Sequence, residues 1–257
     1  MTIAVVTGGA GDIGREICRA LGQAGFAIAV VDRNAERCME FAAELTTQGF
    51  DAFGVPTDIT DRASVAAMAE AVHKRGQVGA VINNAGVASA PDFETTDEDN
   101  WVAAQAVNLN GAYFVARRFL PQMQEARKGV IVNVSSGNGV IYAGAPAYSV
   151  AKAGLIHFTR MLAVEYGPYG IRALTVVPGS VKTQAWAQRE KHNPQIWEQI
   201  RKWYPLGRIV EAAEVAKVVA FAVSDAASAM TGSSLVVDCG ALAGNDVFGR
   251  EITAGDR

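Results

Sequence analysis

The segment IAVVTGGAGDIG, residues 3–14, joins a short apolar run to a glycine-rich turn. The apolar run predicts a buried strand, and the apolar spacing over residues 13–24 predicts a helix directly after the turn. Glycines between a strand and a helix let the backbone approach a pyrophosphate, whose charge the helix N-terminus favours. The glycines that match the G-x-G-x-x-G pattern are Gly9, Gly11 and Gly14. This segment therefore predicts the first strand-to-helix turn of a dinucleotide-binding sheet.

The rest of the chain repeats this alternation of short apolar runs and longer amphipathic runs. Further strands are predicted at residues 27–31, 52–55, 80–82, 130–134, 172–177 and 235–237. Further helices are predicted at residues 35–46, 62–74, 99–107, 111–124, 147–166 and 214–222. Strands that are apolar on both faces and alternate with helices form a parallel sheet covered on both sides. We therefore expect one α/β domain over residues 1–257, a doubly wound parallel sheet in three layers (a Rossmann fold).

Composition and charge argue against several classes of protein. Hydrophobic residues make up 50% of the 257 residues, which suits a large buried core and not a disordered chain. The net charge of −3, without a basic stripe, makes nucleic acid a poor partner. The three cysteines are widely spaced, as in a reducing compartment, and the three histidines lie far apart, so we expect no metal site. No apolar run reaches the ~18 residues of a membrane span, so we expect a soluble cytoplasmic protein.

The segment SSGNGVIYAGAPAYSVAK, residues 135–152, holds the tightest cluster of groups able to move a proton. Tyr148 and Lys152 are four residues apart on a predicted helix and project from the same face. A neighbouring ammonium should lower the pKa of the Tyr148 phenol from about 10, which would let it act as an acid or base near neutral pH. Ser135 and Ser136 end a β-branched run, at the edge where open α/β sheets place their sites. A surface or packing role is the alternative for the Tyr–Lys pair.

Asp32 ends the second predicted strand, about twenty residues after the glycine-rich turn. A carboxylate at this place can accept hydrogen bonds from both ribose hydroxyls of NAD and repel the additional phosphate of NADP. The adjacent Arg33 could in principle hold that phosphate, and an N-cap of the next helix is the other interpretation of Asp32. We expect NAD to be preferred.

Several further motifs occur in a fixed order along the chain. They are Thr7-Gly8 with Gly14, Asn83-Asn84-Ala85-Gly86, Asn108, Ser136, Tyr148-x-x-x-Lys152, Pro178-Gly179, Leu206-Gly207-Arg208 and Val237-Asp238. Together they resemble the short-chain dehydrogenase/reductase family in its compact single-domain form, over residues 2–240. The resemblance implies an oxidoreductase that interconverts an alcohol and a carbonyl group with a nicotinamide dinucleotide.

The resemblance also implies a role for each member of the catalytic set. Tyr148 would donate or accept the proton, while Lys152 would lower its pKa and bind the nicotinamide ribose. Ser136 would hydrogen-bond the reacting oxygen, and Asn108 would support a water relay. The chain is one residue shorter than the family pattern between the serine and the tyrosine, so Ser135 is an alternative. Alignment from the strand favours Ser136, because loops absorb deletions more readily than strands do.

The resemblance places an NAD site along the same edge of the sheet. Asp58 and Ile59 would contact the adenine, although Asp58 could instead belong to the first turn of the next helix. Residues 83–86 would pass along the ribose, and a P-G-x-V-x-T pattern would hold the nicotinamide amide. The implied cofactor residues are Gly8, Gly11, Asp12, Ile13, Gly14, Asp32, Arg33, Asp58, Ile59, Asn84, Ala85, Gly86, Tyr148, Lys152, Pro178, Gly179, Val181 and Thr183.

Asp12 departs from the family pattern, which usually has glycine at this position. A carboxylate that faced a pyrophosphate would be repelled. We therefore expect Asp12 to turn away and cap the helix that it begins, with Gly11 supplying the flexibility of the turn.

Residues 184–204, here called the lid segment, correspond to the mobile substrate lid of the family. They contain three of the four tryptophans together with several cations, which suggests a polar, hydroxylated or anionic substrate. In the alternative interpretation the tryptophans pack the lid segment onto the core and the charges are solvated. The candidate substrate contacts are Asn138, Tyr142, Trp186 and Arg189.

The resemblance further implies a homodimer or homotetramer, because family members pair the helix predicted at residues 147–166 with its copy. We hypothesise that the tail, residues 241–257 with Phe248 and Arg250, reaches a neighbouring protomer. For the function we expect an NAD-dependent dehydrogenase of a polyol, sugar or other small polar substrate. The alternatives are an NADP-dependent reductase of 3-oxoacyl thioesters and a dinucleotide-binding sensor that has lost catalysis.

Overall fold

The structure is a computed structural model that describes residues 2–244 and 246–249. Within these residues, seven strands form one sheet in the order β3-β2-β1-β4-β5-β6-β7, and every neighbouring pair is parallel. The strands are β1 Ile3–Thr7, β2 Ala27–Asp32, β3 Ala52–Pro56, β4 Val78–Asn83, β5 Gly129–Val134, β6 Ile171–Pro178 and β7 Ser234–Val237. The predicted α/β fold with a doubly wound parallel sheet is confirmed.

Helices cover both faces of this sheet. They are α1 Asp12–Gln23, α2 Ala35–Thr47, α3 Arg62–His73, α4 Glu98–Gln105, α5 Gly111–Ala126, α6 Pro146–Tyr166, α7 Gln184–His192, α8 Ile196–Arg201, α9 Ala212–Val223 and α10 Asp246–Phe248. Ile17 of α1 and Phe41 of α2 belong to one apolar cluster, which α9 completes. Phe119 of α5 and Leu162 of α6 belong to the cluster on the opposite face, with α3. Because β1 is buried on both sides, it lies in the middle of three layers.

Two helical features differ from the sequence prediction. The helix predicted at residues 99–107 ends as an α-helix at Gln105 and continues as a π-helical turn, Ala106–Asn110. A π-helical turn is a rare, single-turn irregularity within a helix, and five residues are too few for the apolar spacing to reveal it. In the lid segment, α7 and α8 are not predicted, because their sequences are polar on most sides and Pro194 interrupts them. No helix of the described residues is long and apolar enough to cross a membrane.

The order of the strands reverses between β1 and β4, and open α/β sheets bind their ligands at the carboxyl ends of strands on either side of such a point. The buried Thr7 ends β1 there, and its Oγ1 accepts hydrogen bonds from the N–H groups of Asn84 and Ala85, both at 3.1 Å. The hydroxyl therefore holds the loop that follows β4 against the glycine-rich turn.

The glycine-rich turn brings two stretches of backbone closer together than a side chain would allow. Gly8 has φ +62°, in the left-handed region, and a Cβ on Gly14 would lie 2.1 Å from the Gly8 carbonyl oxygen. Because that neighbour is backbone, it cannot move aside without opening the turn. The first turn of α1 can lie against β1 only with glycine at residue 14.

We expect Gly14→Ala to lower the free energy of unfolding by ~1–3 kcal/mol and to weaken dinucleotide binding, because the turn must open to admit the methyl group. The matched control is Gly167→Ala, since a Cβ at Gly167 meets no atom within 4 Å. Urea unfolding and NADH titration of both variants check this prediction. Equal stability of the two variants would contradict it.

Candidate active site

A cavity of about 510 Å³ lies at the carboxyl ends of the strands, where the strand order reverses. Thirteen of the predicted cofactor residues line it: Gly8, Gly11, Asp12, Ile13, Gly14, Asp32, Arg33, Asp58, Ile59, Asn84, Ala85, Gly86 and Thr183. Lining residues that sequence reasoning missed are Val31, Thr57, Thr60, Val87, Ala103, Ala106 and Val107. Three of these come from α4 and the π-helical turn after it, whose approach to the cavity no motif indicates.

Asp32 ends β2 at the rim of this cavity. Its Oδ2 accepts a hydrogen bond from the Ala10 N–H at 3.2 Å, and its Oδ1 accepts one from the Asn34 N–H at 3.1 Å. The N-cap of α2 is Asn34, whose Oδ1 accepts from the Arg37 N–H at 3.0 Å. The interpretation of Asp32 as that cap is therefore wrong. Each carboxylate oxygen retains a lone pair for a further donor.

Asp58 lies in the loop after β3, on the same side of the cavity. Its Oδ1 accepts from the N–H of Thr60 at 2.8 Å and from the Thr60 hydroxyl at 2.7 Å. These hydrogen bonds, the side-chain one first, lower the pKa of the carboxyl. Asp61, not Asp58, caps α3 by accepting from the Ala63 N–H. Asp58 therefore organises the loop rather than the helix that follows.

Tyr148 and Lys152 lie one turn apart on α6, and the Lys152 Nζ is 5.6 Å from the centroid of the Tyr148 ring. The Lys152 side chain is buried, and its Nζ donates to the Val134 carbonyl at 2.9 Å. Burial lowers the pKa of this amine to about 8, because the charged form loses its hydration. The structure thus brings the predicted pair together at the end of β5.

The phenol of Tyr148 behaves differently from the sequence expectation. Burial raises its pKa, and a hydrogen bond with the Ser136 side chain lowers it in part. The expected lowering of the Tyr148 pKa by Lys152 is wrong for this structure, since burial outweighs the Ser136 bond. The physical reason is that burial removes the hydration that the charged phenolate would need, while the Lys152 Nζ donates to the Val134 carbonyl.

The two serines at the end of β5 point to different partners. The buried Ser135 donates its hydroxyl to the Lys152 carbonyl at 2.8 Å. Ser136 is half-buried, its hydroxyl hydrogen-bonds the Tyr148 phenol, and it also accepts from the Asn138 N–H at 3.3 Å. This geometry supports Ser136 as the serine of the site and gives Ser135 a structural bond.

Asn108 lies in the π-helical turn and holds the loop after β4. Its amide exchanges two hydrogen bonds of 3.1 Å with the backbone of Val87, and its Nδ2 also donates to the Ala104 carbonyl at 3.0 Å. A Cβ on Gly86 would lie 2.9 Å from the Asn108 Oδ1 and 3.3 Å from the Lys152 Nζ. Glycine at residue 86 therefore lets the loop, the amide and the amine meet.

The remaining predicted cofactor residues follow β6. Pro178 is the last residue of that strand, and the Gly179 N–H donates to the Val237 carbonyl at 2.9 Å. Val181 is buried and forms an isolated parallel bridge with Val210. These three residues, like Tyr148 and Lys152, do not line the cavity described above, whereas Thr183 of the same motif does.

The candidate substrate residues make mostly internal contacts. The Asn138 Nδ2 donates to the Gly144 carbonyl at 3.0 Å, and Tyr142 is 66% exposed. In the lid segment the rings of Trp186 and Trp197 lie 5.4 Å apart, and the Arg189 guanidinium lies 4.6 Å from the Trp186 ring. The aromatic and cationic side chains of the lid segment thus stack on each other.

The start of the tail is a part of the site that no motif predicts. The Asp238 carboxylate accepts from the N–H groups of Gly240 at 2.8 Å and Leu242 at 2.7 Å, which forms a turn directly after β7. The Leu242 methyl groups then lie 3.8 and 3.9 Å from the Cβ position of Gly137, next to Ser136. Of the two tail residues named above, Phe248 is exposed and Arg250 lies outside the described residues.

Asp12 does not cap its own helix, so that expectation is wrong. It is the first residue of α1, whose N-cap is Gly11 and has no side-chain capping bond. The Asp12 Oδ2 instead accepts the N–H of Gln184, the first residue of α7, at 2.5 Å. A carboxylate at the first helical residue lies past the capping position, so it is available to a neighbouring helix.

The pKa of Lys152 predicts a pH dependence of stability. Its ordinary value is 10.5 and burial lowers it to about 8, so between these values the unfolded chain binds more protons than the folded chain. The free energy of unfolding should therefore rise with pH across that window, by up to about 1.4 kcal/mol per pH unit relative to Lys152→Met. Urea unfolding of both proteins from pH 7 to 10 measures it; a constant difference between them would contradict the buried ammonium.

Comparisons with known proteins agree with this geometry. A family model described as "Enoyl-(Acyl carrier protein) reductase" matches residues 8–241. The galactitol 2-dehydrogenase of Rhizobium johnstonii is 37% identical over 247 residues, which cover 92% of this chain and 93% of the relative. The 3-oxoacyl-[acyl-carrier-protein] reductase FabG of Pseudomonas aeruginosa is 36% identical over 245 residues, which cover 93% of this chain and 96% of the relative.

A solved structure extends the similarity to three dimensions. The crystal structure of an oxidoreductase of the short-chain dehydrogenase/reductase family from Burkholderia thailandensis has 40% sequence identity and a TM-score of 0.94, and it covers 99% of this chain and 98% of that chain. With the family model, the relatives and the arrangement around Tyr148 and Lys152 in agreement, this chain belongs to the short-chain dehydrogenase/reductase family of oxidoreductases.

Proposed function

We propose that this chain is an NAD-dependent dehydrogenase that interconverts a secondary alcohol and a carbonyl group on a polyol, a sugar or another small polar substrate. The observation that carries the proposal is the contact of Ser136 with Tyr148, one turn from the buried Lys152, at the sheet edge that also holds the cavity. A proton carrier and a hydrogen-bonding hydroxyl at this place suit a reaction at a carbinol or carbonyl oxygen.

The residues present fit a bound dinucleotide. The missing side chains at Gly8 and Gly14 leave the backbone and the N-terminus of α1 open to a pyrophosphate. The Asp32 carboxylate at the rim of the cavity suits ribose hydroxyls. When bound, the nicotinamide would accept or return the hydride. These residues would hold the adenosine half, while Thr183 would lie towards the reacting half.

The chain's own chemistry is proton transfer and orientation. In the oxidative direction Tyr148, as the phenolate, would take the proton of the substrate hydroxyl, and Ser136 would hold the same oxygen by a hydrogen bond. Lys152, whose Nζ lies 5.6 Å from the centroid of the Tyr148 ring, would supply positive charge near the phenolate below its pKa of about 8, where the amine is protonated. Asn108 and Gly86 would keep the loop beside that amine in place.

Asp32 supports NAD over NADP. Its carboxylate is fixed by two backbone N–H groups at the rim of the cavity, so a 2′-phosphate at that place would be repelled. The nearby Arg37 donates its Nη2 to the Ala10 carbonyl at 3.0 Å, which draws its guanidinium to the protein backbone. Arg33 is exposed and lines the cavity. Its positive charge would attract a 2′-phosphate and so weaken the preference for NAD over NADP.

The polar substrate class is supported by the stacked cations and indoles of the lid segment and by the similarity to a galactitol 2-dehydrogenase. The second candidate, a reductase of 3-oxoacyl thioesters, is favoured by the comparable similarity to the Pseudomonas aeruginosa reductase. A homodimer or homotetramer is supported by α6, which leaves Val150 50% and Val164 77% exposed. The other alternative, a sensor without catalysis, would show binding but no turnover.

The test is NADH absorbance during incubation with NAD or NADP and a panel of polyols, sugars, sugar acids and hydroxy acids, with a 3-oxoacyl thioester in the reverse direction. We expect turnover of a polyhydroxylated substrate with NAD, and its loss in Tyr148→Phe while NADH still binds, because only the proton carrier is removed. Turnover confined to the thioester with NADPH would favour the second candidate. Binding of NADH without turnover of any substrate would contradict the dehydrogenase.

The two serines provide a matched pair of variants. We expect Ser136→Ala to lower kcat by roughly 10²–10³-fold, because the reacting oxygen loses a preorganised donor. Ser135→Ala should keep kcat near the wild-type value and lower the free energy of unfolding by ~1 kcal/mol, since it removes one buried hydrogen bond to α6. Steady-state kinetics and urea unfolding separate the two effects. The reverse pattern would assign the site to Ser135.

A further inference from the structure

A hydrogen bond joins the glycine-rich turn to the lid segment across 172 positions of sequence. The donor is the N–H of Gln184, which begins α7, and the acceptor is the Oδ2 of Asp12 at 2.5 Å. The residue before it, Thr183, is the N-cap of α7 but makes no side-chain capping bond. Asp12 therefore supplies to α7 a capping interaction that the local sequence lacks.

The electrostatics of this carboxylate are unusual for its position. The carboxylate belongs to the first residue of α1 and accepts a hydrogen bond from the first N–H of α7. The N-termini of two helices therefore face one negative charge. A hydrogen bond between a carboxylate and a backbone N–H at a helix N-terminus is stronger than one between neutral groups. Asp12 and Thr183 both line the cavity, so this contact is made at the rim of the dinucleotide site.

We propose that Asp12 is a positioning residue that holds the lid segment in place over the site. We propose also that its negative charge lowers the affinity for the dinucleotide. Its carboxylate holds the first turn of α7, and through α7 it places the Trp186 and Arg189 stack. The same negative charge repels the pyrophosphate that the N-terminus of α1 would otherwise attract. Glycine at this position would bind the cofactor without that repulsion but would leave α7 uncapped.

The first test is tryptic cleavage of the protein without cofactor. Cleavage sites within the lid segment are Arg189, Lys191, Arg201 and Lys202. We expect Asp12→Ala to be cut there about fivefold faster than wild type, the factor that corresponds to one lost helix-capping bond. Asp12→Asn should be cut at a rate between those of wild type and Asp12→Ala, because its amide oxygen still accepts from the Gln184 N–H but carries no negative charge.

The second test is NADH affinity, which needs no turnover. Asp12→Asn should bind NADH about threefold more tightly, because one negative charge beside the pyrophosphate is removed. In steady-state kinetics, Asp12→Ala should raise KM for the substrate more than it lowers kcat, since the lid segment contacts substrate and not the proton carrier. Only this kinetic readout rests on the proposed function.

The control is Glu36→Ala, which removes a carboxylate from the first turn of α2 at a residue that does not line the cavity. It should change neither the cleavage of the lid segment nor NADH affinity. Cleavage outside the lid segment in the same digest shows whether a variant is folded. If trypsin cuts the lid segment of Asp12→Ala at the wild-type rate, or cuts Asp12→Asn and Asp12→Ala at equal rates, the hydrogen bond of Asp12 does not hold α7 in place and the proposal is overturned. Unchanged NADH affinity in Asp12→Asn would overturn the proposed repulsion between the Asp12 carboxylate and the pyrophosphate.

Discussion

The site depends on a buried lysine that is bonded both to the last residue of β5 and to the residue after it. The Lys152 Nζ donates to the Val134 carbonyl, while the Lys152 carbonyl accepts the Ser135 hydroxyl. Burying an ammonium is expensive unless it is well hydrogen-bonded, and here its desolvation appears as a lowered pKa. Together the two bonds fix α6 against the end of β5, which sets Tyr148 beside Ser136. The proposed proton chemistry therefore rests on how one helix is held on one strand.

A second polar connection supports the same helix from within the apolar layer. The Asn83 amide donates to Asn133, Asn133 donates to Thr159, and Thr175 donates to the same Thr159 hydroxyl, each at 2.8 Å. Four buried side chains thus join β4, β5 and β6 to α6. Apolar contacts tolerate sliding, but a buried polar group that loses its partner costs free energy, so this chain specifies one position of α6 on the sheet.

Charge is distributed unevenly around the cavity. Asp32, Asp58 and Asp12 all line it, yet the bound group expected there is an anion. Each carboxylate accepts hydrogen bonds from backbone N–H groups. Asp32 accepts from Ala10 and Asn34, Asp58 accepts from Thr60, and Asp12 accepts from Gln184. Because these donors hold the carboxylates in place, each can act on one part of a ligand or of the protein. Asp32 suits the ribose, Asp58 organises a loop, and Asp12 faces the lid segment.

The sheet and most of the residues that line the cavity follow from the amino-acid sequence alone, because they depend on local order. Buried strands are short apolar runs, and the residues of the glycine-rich turn that must lack a side chain, such as Gly14, are recognisable by type and spacing. The folded chain was needed to show which serine faces Tyr148, where the Asp12 carboxylate points and that Leu242 reaches Gly137. The π-helical turn that places Asn108 was equally hidden, since a single irregular turn is too short to be recognised from apolar spacing. These features depend on contacts between residues that are distant in sequence, which set the direction of a side chain. Burial in the fold then sets the pKa of a titratable side chain such as Tyr148 or Lys152.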